Sequence, residues 1–177
     1  MQHLKLEVLI PRAEISAKVV EMGKKISDDY EGEQILIIVV LRGAVLFAAD
    51  LCREIQGDVV LDFMAVSSYG SSTSTSGVVR FLKDLDESVE GRHVLIVEDI
   101  IDTGLTLNYL LDNLRSRNPK SIRTCTLLDK PSRRKVEIKP DYCGFTIDDL
   151  FVVGYGLDYD QSYRNLPDIC VHNEAKH

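Results

Sequence analysis

Apolar residues recur along the chain in two patterns, one typical of helices and one typical of buried strands. Within residues 11–30 they have helical spacing, at Ile15, Val19, Val20, Met22 and Ile26. Residues 34–41 then form a continuous run rich in β-branched side chains, which is typical of a strand covered on both faces. These patterns predict a helix that starts near Pro11, followed by a strand inside a parallel sheet.

The same alternation continues through the middle of the chain. Apolar and β-branched runs predict further strands at residues 59–69, 93–100 and 121–129, with helices between them at 44–55 and 103–117. The run at residues 78–85 predicts a strand that returns antiparallel to its predecessor. Strands that alternate with helices indicate an α/β fold with a mostly parallel sheet. From Lys130 onward, Pro, Gly and Tyr become frequent, which predicts a smaller subdomain of short strands, one of them within residues 151–158.

Residues 70–77 read GSSTSTSG and contain only Gly, Ser and Thr. Such a tract cannot pack a hydrophobic core. It lies between two predicted antiparallel strands, so it is either a plain hairpin tip or a functional lid over a site. The residues of the tract alone do not decide between these two interpretations.

The overall charge and the cysteines limit the classes of function. The 177 residues carry a formal net charge of −7, which argues against a broad nucleic-acid or membrane footprint and leaves room for a local basic pocket. The length fits one domain, residues 1–177. The four cysteines form no Cys-x-x-Cys pair, and the first residues lack the pattern of a signal peptide. We therefore expect a cytoplasmic protein.

An acidic cluster follows the strand predicted at residues 93–100. Glu98 and Asp99 end that strand, Asp102 comes next, and the turn at residues 103–106 reads TGLT. Ligands of parallel sheets bind beyond the carboxyl ends of the strands, and the N-terminus of a helix suits a phosphate. Carboxylates accept hydrogen bonds from ribose hydroxyls and bind Mg²⁺. The alternatives are ordinary charges at a strand end and, for Asp102, a helix N-cap. Three acids without counter-charges would repel each other, which favours a functional role.

The stretch VLIVEDIIDTGLTL, residues 94–107, closely resembles the signature of type I phosphoribosyltransferases, which marks binding of 5-phosphoribosyl 1-diphosphate (PRPP). The stretches VLRGAVLFAADLCREI, DFMAVSSYGSSTS, LLDKPSRRKVEIKPDYCGFTI and FVVGYGLDYDQSYRNLP extend the resemblance to bacterial hypoxanthine (6-oxopurine) phosphoribosyltransferases over nearly the whole chain. The resemblance implies a mostly parallel twisted sheet flanked by helices and a flexible lid hairpin. It also implies a small hood built from the N-terminal segment and roughly residues 130–177.

The resemblance assigns roles around PRPP and its metal ion. Glu98 and Asp99 would bind the ribose and, with Asp158, Mg²⁺. The 5-phosphate would lie against the signature turn, formed by Asp102, Thr103, Gly104, Leu105 and Thr106. The pyrophosphate would be bound by Leu41, Arg42, Gly43 and Arg164. In relatives the peptide bond that corresponds to Leu41–Arg42 can be cis. Because some relatives carry lysine where this chain has Leu105, backbone N–H groups would carry more of the phosphate binding here.

The resemblance also assigns the acceptor end of the site. Lys130 would donate a hydrogen bond to the purine 6-oxo group, Phe151 would stack on the base, and Val152 and Asp158 would lie beside it. Asp102 would handle a proton at N7 of the purine. Ser68 and Tyr69 would begin the lid, which favours the lid interpretation of residues 70–77.

These roles imply a purine-salvage enzyme that joins hypoxanthine, and also guanine, to PRPP. The products would be inosine or guanosine 5′-monophosphate and pyrophosphate, with Mg²⁺ as cofactor and a dimer or tetramer as the assembly. The alternatives are a guanine- or xanthine-preferring enzyme and a non-catalytic regulator that senses PRPP. The acidic charge and the lack of a helix-turn-helix extension disfavour the regulator. A flavodoxin-like domain would leave the lid tract and the C-terminal motifs unexplained.

Overall fold

The computed structural model describes residues 6–68 and 79–173. Within these residues the fold comprises three helices and nine strands, together with a short 3₁₀ turn at Pro131–Arg133. The helices are α1 (Arg12–Tyr30), α2 (Val45–Glu54) and α3 (Leu105–Arg115). The strands are β1 (Leu6–Ile10), β2 (Ile35–Leu41), β3 (Val59–Ser68), β4 (Val79–Lys83), β5 (His93–Ile101), β6 (Ser121–Asp129), β7 (Tyr142–Thr146), β8 (Val152–Val153) and β9 (Ile169–His172).

The main sheet has six strands in the order β4-β3-β2-β5-β6-β7. The five strands from β3 to β7 in this order are parallel to one another. The edge strand β4 pairs antiparallel with β3. This arrangement confirms the predicted α/β class and the antiparallel return strand. Among the described residues, none of the helices combines the length and apolarity needed to cross a bilayer.

The continuous apolar runs are explained by a sheet that is buried on both faces. In β2, Ile35, Ile37 and Val39 point into one core together with α1 and α2. The intervening residues of β2 point into a second core, which α3 covers with Leu107, Leu110, Leu111 and Leu114. Alternate residues of β2 therefore pack into the cores on opposite sides of the sheet. Because both faces of the strand are buried, neither can be polar.

The hood is a separate three-stranded sheet in the order β1-β9-β8. The N-terminal segment contributes β1, as expected, but the expected start of the hood near residue 130 is wrong. Residues 142–146 form β7, which pairs parallel with β6 and extends the main sheet. The strand predicted within residues 151–158 is also shorter than expected, because only Val152–Val153 pairs with β9.

The carboxyl ends of the parallel strands place several loops next to one another. The N–H of Lys130, just after β6, donates to the carbonyl of Ile101 at the end of β5 at 2.9 Å. The N–H of Lys135 donates to the carbonyl of Thr103 at the same distance. Ser68 is the last residue of β3 and pairs with Val79. The side chain of Ser68, Tyr69 and the tract 70–77 lie outside the described residues, so the lid stays a prediction.

Candidate functional site

Two carboxylates near the carboxyl end of β5 form the centre of the site. Glu98 and Asp99 lie just before its last residues; Glu98 is only 8% exposed, and Asp99 is half-buried. Burial, together with the neighbouring charge of Asp99, raises the pKa of Glu98 well above its ordinary value. Burial likewise raises the pKa of Asp99 to about 6, although an N–H donor from Ile100 at 2.7 Å and the charge of Arg164 oppose the shift. Among the residues that the structure describes, neither carboxylate has a cation within ion-pair distance.

The loop after β2 packs directly onto this acid pair. A side-chain carbon placed on Gly43 would lie 1.7 Å from Oδ2 of Asp99, so any larger residue here would displace that carboxylate. The peptide bond between Leu41 and Arg42 is cis. The absence of a side chain at Gly43 therefore lets this loop lie against Asp99, while its role in binding pyrophosphate stays a prediction.

A small cavity of about 100 Å³ lies between the end of β5 and the start of α3. Its polar lining comes from Glu98, Asp102, Thr103, Gly104 and Thr106. Gly104 has φ +82°, a left-handed conformation that turns the chain into α3, and a Cβ there would lie 2.6 Å from Ile138. Since the first N–H groups of a helix lack intrahelical partners, this cavity is suited to an anion.

Asp102 is not the N-cap of α3. The helix begins at Leu105, its cap position is Gly104, and its first N–H donates to Oγ1 of Thr103 at 3.4 Å. Oδ1 of Asp102 instead lies 2.6 Å from Nε of Arg133, in the 3₁₀ turn after β6. The assumption that all three acids lack counter-charges is therefore wrong for Asp102, because a later segment of the chain supplies its cation.

Arg133, to which the resemblance gave no role, belongs to a row of side chains with alternating charges. Its Nη1 lies 3.3 Å from Oδ2 of Asp149, and Oδ1 of Asp149 lies 3.9 Å from Nζ of Lys130. Lys130 is only 3% exposed, and burial lowers the pKa of its ammonium group. The row Lys130–Asp149–Arg133–Asp102 thus connects two residues that were predicted to contact the purine.

The predicted base-stacking residue lies in the hood. The ring of Phe151 packs edge-on against Tyr159 and His172, with ring centroids 5.7 and 6.0 Å apart. Val152 is buried and pairs with Val171 of β9. Aromatic neighbours therefore fix the Phe151 ring, and the hood sheet fixes the backbone beside it.

The two arginines predicted to bind pyrophosphate lie together although they are far apart in the sequence. Nη1 of Arg42 and Nη2 of Arg164 both donate to Oε1 of Gln161, each at 3.1 Å. Nη1 of Arg164 also donates to the carbonyl of Gly156 at 2.7 Å, and its Nη2 lies 3.2 Å from Oδ1 of Asp158. Sequence reasoning missed Gln161, and the motif DYDQSYR gave no sign that this amide would join the two guanidinium groups.

The role of Glu98, Asp99 and Asp158 as metal ligands stays a prediction. The described residues contain no cluster of three His, Cys, Asp or Glu side chains that could bind a metal ion by themselves. Asp158 is near enough to Asp99 to raise its pKa, but it is paired with Arg164 and accepts the N–H of Gln161 at 2.8 Å. Glu98, Asp99 and Asp158 therefore do not form a metal centre on their own, and an ion here would need further oxygen ligands.

The chain is similar to known proteins over most of its length. Residues 11–160 match the phosphoribosyl transferase domain family. The chain is 53% identical to hypoxanthine phosphoribosyltransferase of Salmonella typhimurium, with 94% of each chain covered. It is 55% identical to hypoxanthine-guanine phosphoribosyltransferase of Bacillus subtilis, covering 97% of this chain and 95% of the relative.

A solved structure supports the same relationship. The crystal structure of a Bacillus anthracis hypoxanthine-guanine phosphoribosyltransferase superposes with a TM-score of 0.92 and 49% identity, covering 96% of this chain and 99% of the other. The chain therefore belongs to the phosphoribosyltransferase family, in the branch of the hypoxanthine and hypoxanthine-guanine phosphoribosyltransferases.

Proposed function

We propose that the protein transfers the 5-phosphoribosyl group from PRPP to hypoxanthine, with release of pyrophosphate and inosine 5′-monophosphate. The observation that carries the proposal is the order of groups along one cleft. A cavity at the start of α3 is lined by Glu98, and the charge of Arg164 acts on the neighbouring Asp99. Arg42 and Arg164 lie together on Gln161, and the buried Lys130 follows β6 beside the end of β5. PRPP and a 6-oxopurine present complementary groups in the same order.

PRPP would be bound at both of its charged ends. The N–H groups that open α3, with the hydroxyls of Thr103 and Thr106, would bind the 5-phosphate. Glu98 and Asp99 would accept hydrogen bonds from the ribose hydroxyls. Their negative charge would also stabilise the positive charge that develops on the sugar as the bond from C1 to the leaving oxygen breaks, because burial strengthens that interaction.

The pyrophosphate end would be neutralised by Arg42 and Arg164, whose guanidinium groups suit phosphate oxygens. Carboxylate oxygens are also the ligands that Mg²⁺ prefers, and the uncompensated charge of Glu98 and Asp99 fits such an ion. These two residues and Asp158 would contribute to its binding, together with oxygens of the substrate. Mg²⁺ would supply neutralisation of the charge on the leaving pyrophosphate.

The purine would be oriented by Lys130 at its 6-oxo group, by Phe151 on its face, and by Val152 and Asp158 at its edge. The lone pair of N9 would form the new bond to C1 of the ribose as pyrophosphate leaves with the electrons of the old bond. The proton at N7 would pass to Asp102. Arg133 at 2.6 Å would hold that carboxylate in position. Ser68 and Tyr69, at the start of the lid, would help to exclude water from the site. Assembly of the protein as a dimer or tetramer stays a prediction.

The direct test is steady-state kinetics with PRPP and Mg²⁺ against hypoxanthine, guanine, xanthine and adenine. We expect turnover with hypoxanthine and none with adenine, whose 6-amino group cannot accept the proton of Lys130. Guanine is the second candidate substrate, because the Bacillus subtilis relative is named for both bases. A protein that releases no pyrophosphate with any base would contradict the proposal, and sequence-specific DNA binding modulated by PRPP would support the regulator instead.

A further inference from the structure

Gln161 lies at the centre of the groups assigned to pyrophosphate. Its side-chain oxygen accepts hydrogen bonds from Arg42, on the loop after β2, and from Arg164, on its own loop. Its backbone N–H donates to Oδ2 of Asp158 at 2.8 Å. One residue therefore connects both cations and the carboxylate at this end of the cleft.

The turn that carries Gln161 is closed by backbone hydrogen bonds. Tyr159 and Ser162 exchange N–H donors and carbonyl acceptors at 3.1 and 3.0 Å. Gln161 has φ +65°, in the left-handed region, which directs its side chain away from the path of a regular strand. The turn thus sets the position of the Gln161 backbone, and the hydrogen bonds from Arg42 and Arg164 hold its amide oxygen.

The chemical type of the residue also matters. Two guanidinium groups repel each other, so bringing them to one point requires an acceptor between them. A carboxylate there would cancel one of the two positive charges and would compete with a phosphate ligand. The amide oxygen of Gln161 accepts from both groups and leaves their charge available.

We propose that Gln161 is a positioning residue that pre-aligns Arg42 and Arg164 for the pyrophosphate group of PRPP. This inference rests on the proposed function, because it takes PRPP as the ligand of that end. Alignment before binding lowers the ordering cost of the complex, since two long side chains are already restrained. Gln161 would act through the arginines and would not contact the purine.

The test compares Gln161→Met with the wild-type protein, since methionine keeps the length of the side chain and removes the strong acceptor. We expect the Michaelis constant for PRPP and the inhibition constant of pyrophosphate to rise about tenfold. The Michaelis constant for hypoxanthine should stay within about twofold. Calorimetric titration of magnesium pyrophosphate into both proteins gives a readout that does not depend on turnover, so failure of the proposed enzyme activity would be seen separately.

A double-mutant cycle with Arg42→Met separates positioning from general damage to the turn. If Gln161 acts through Arg42, pyrophosphate should bind the double variant more tightly than the sum of the two single losses predicts. Ser162→Ala is the matched control in the same turn and should leave pyrophosphate affinity unchanged. Equal losses for pyrophosphate and hypoxanthine, additive effects in the cycle, or unchanged pyrophosphate affinity in Gln161→Met would each overturn the proposal.

Discussion

The two ends of the cleft hold their cations in different ways. At the pyrophosphate end, Arg42 and Arg164 share the neutral amide of Gln161, and Asp158 is paired with Arg164. At the purine end, each cation faces a carboxylate: Lys130 lies near Asp149, and Arg133 lies between Asp149 and Asp102.

The difference matches the charges of the two proposed ligands. A pyrophosphate group carries several negative charges, so the end that binds it keeps excess positive charge. A neutral purine brings no charge to compensate buried cations, so the protein supplies its own carboxylates. Between the two ends, Glu98 and Asp99 have no ion-pair partner among the described residues, which suits a sugar that becomes positive during transfer. Mutations at each end should therefore change the kinetics of different substrates.

The largest effect is expected for Asp102→Asn at the purine end. The asparagine keeps the shape of the side chain but cannot take the N7 proton, so kcat should fall about 10²- to 10⁴-fold. The Michaelis constant for PRPP should change little. Steady-state kinetics check this, and near-normal turnover would remove Asp102 from the role of proton acceptor.

Lys130→Ala should have the next largest effect. Loss of a charged hydrogen-bond donor to the 6-oxo group should raise the Michaelis constant for hypoxanthine about 10- to 100-fold and leave that for PRPP nearly unchanged. The exposed Lys139→Ala is a matched control and should behave like the wild-type protein. An equal rise in the Michaelis constants for hypoxanthine and PRPP would contradict the assignment of Lys130 to the purine end.

Arg164→Lys tests the other end with a smaller expected effect. Lysine keeps the charge but loses the planar donor pair, so the Michaelis constant for PRPP and the inhibition constant of pyrophosphate should rise about tenfold. Hypoxanthine binding should stay the same. Product-inhibition kinetics measure both constants. A selective loss of hypoxanthine affinity would contradict the assignment of Arg164 to the pyrophosphate end.

The smallest effect concerns the stability of the free protein. Since the pKa of Asp99 rises from 3.8 to about 6 on folding, the folded state binds the proton more tightly than the unfolded state, and stability falls as pH rises through this range. Asp99→Asn removes the cost of burying the ionised carboxylate, so it should stabilise the protein by about 1 kcal/mol at neutral pH.

The pH dependence is the control for this prediction. The advantage of Asp99→Asn should be complete above pH 6 and should disappear as pH falls toward the ordinary value of 3.8. Urea unfolding at a series of pH values measures it. A variant that is less stable than the wild-type protein at pH 7 would show that Asp99 has a counter-charge in the free protein.

The main sheet was predictable because strands such as β2 and β5 are apolar on both faces, a pattern that few other structures produce. The signature turn was predictable for a local reason, since Glu98, Asp102 and Gly104 lie within one short stretch. The pairing of β7 with β6 was missed because residues 142–146 are short, with Gly144 among them, and surrounded by turn residues. Contacts such as Gln161 with Arg42 join distant segments, and no local pattern encodes them.

The most direct test of the charge difference is the rate of inosine 5′-monophosphate formation by the wild-type protein at low and high ionic strength. Salt screens exposed charges over about 10 Å at 0.1 M, so binding that relies on excess positive charge should weaken. We predict that the Michaelis constant for PRPP rises several-fold between about 0.05 and 0.3 M KCl, while that for hypoxanthine stays nearly constant. Parallel changes in both constants, or no nucleotide formed at either salt concentration, would contradict the account.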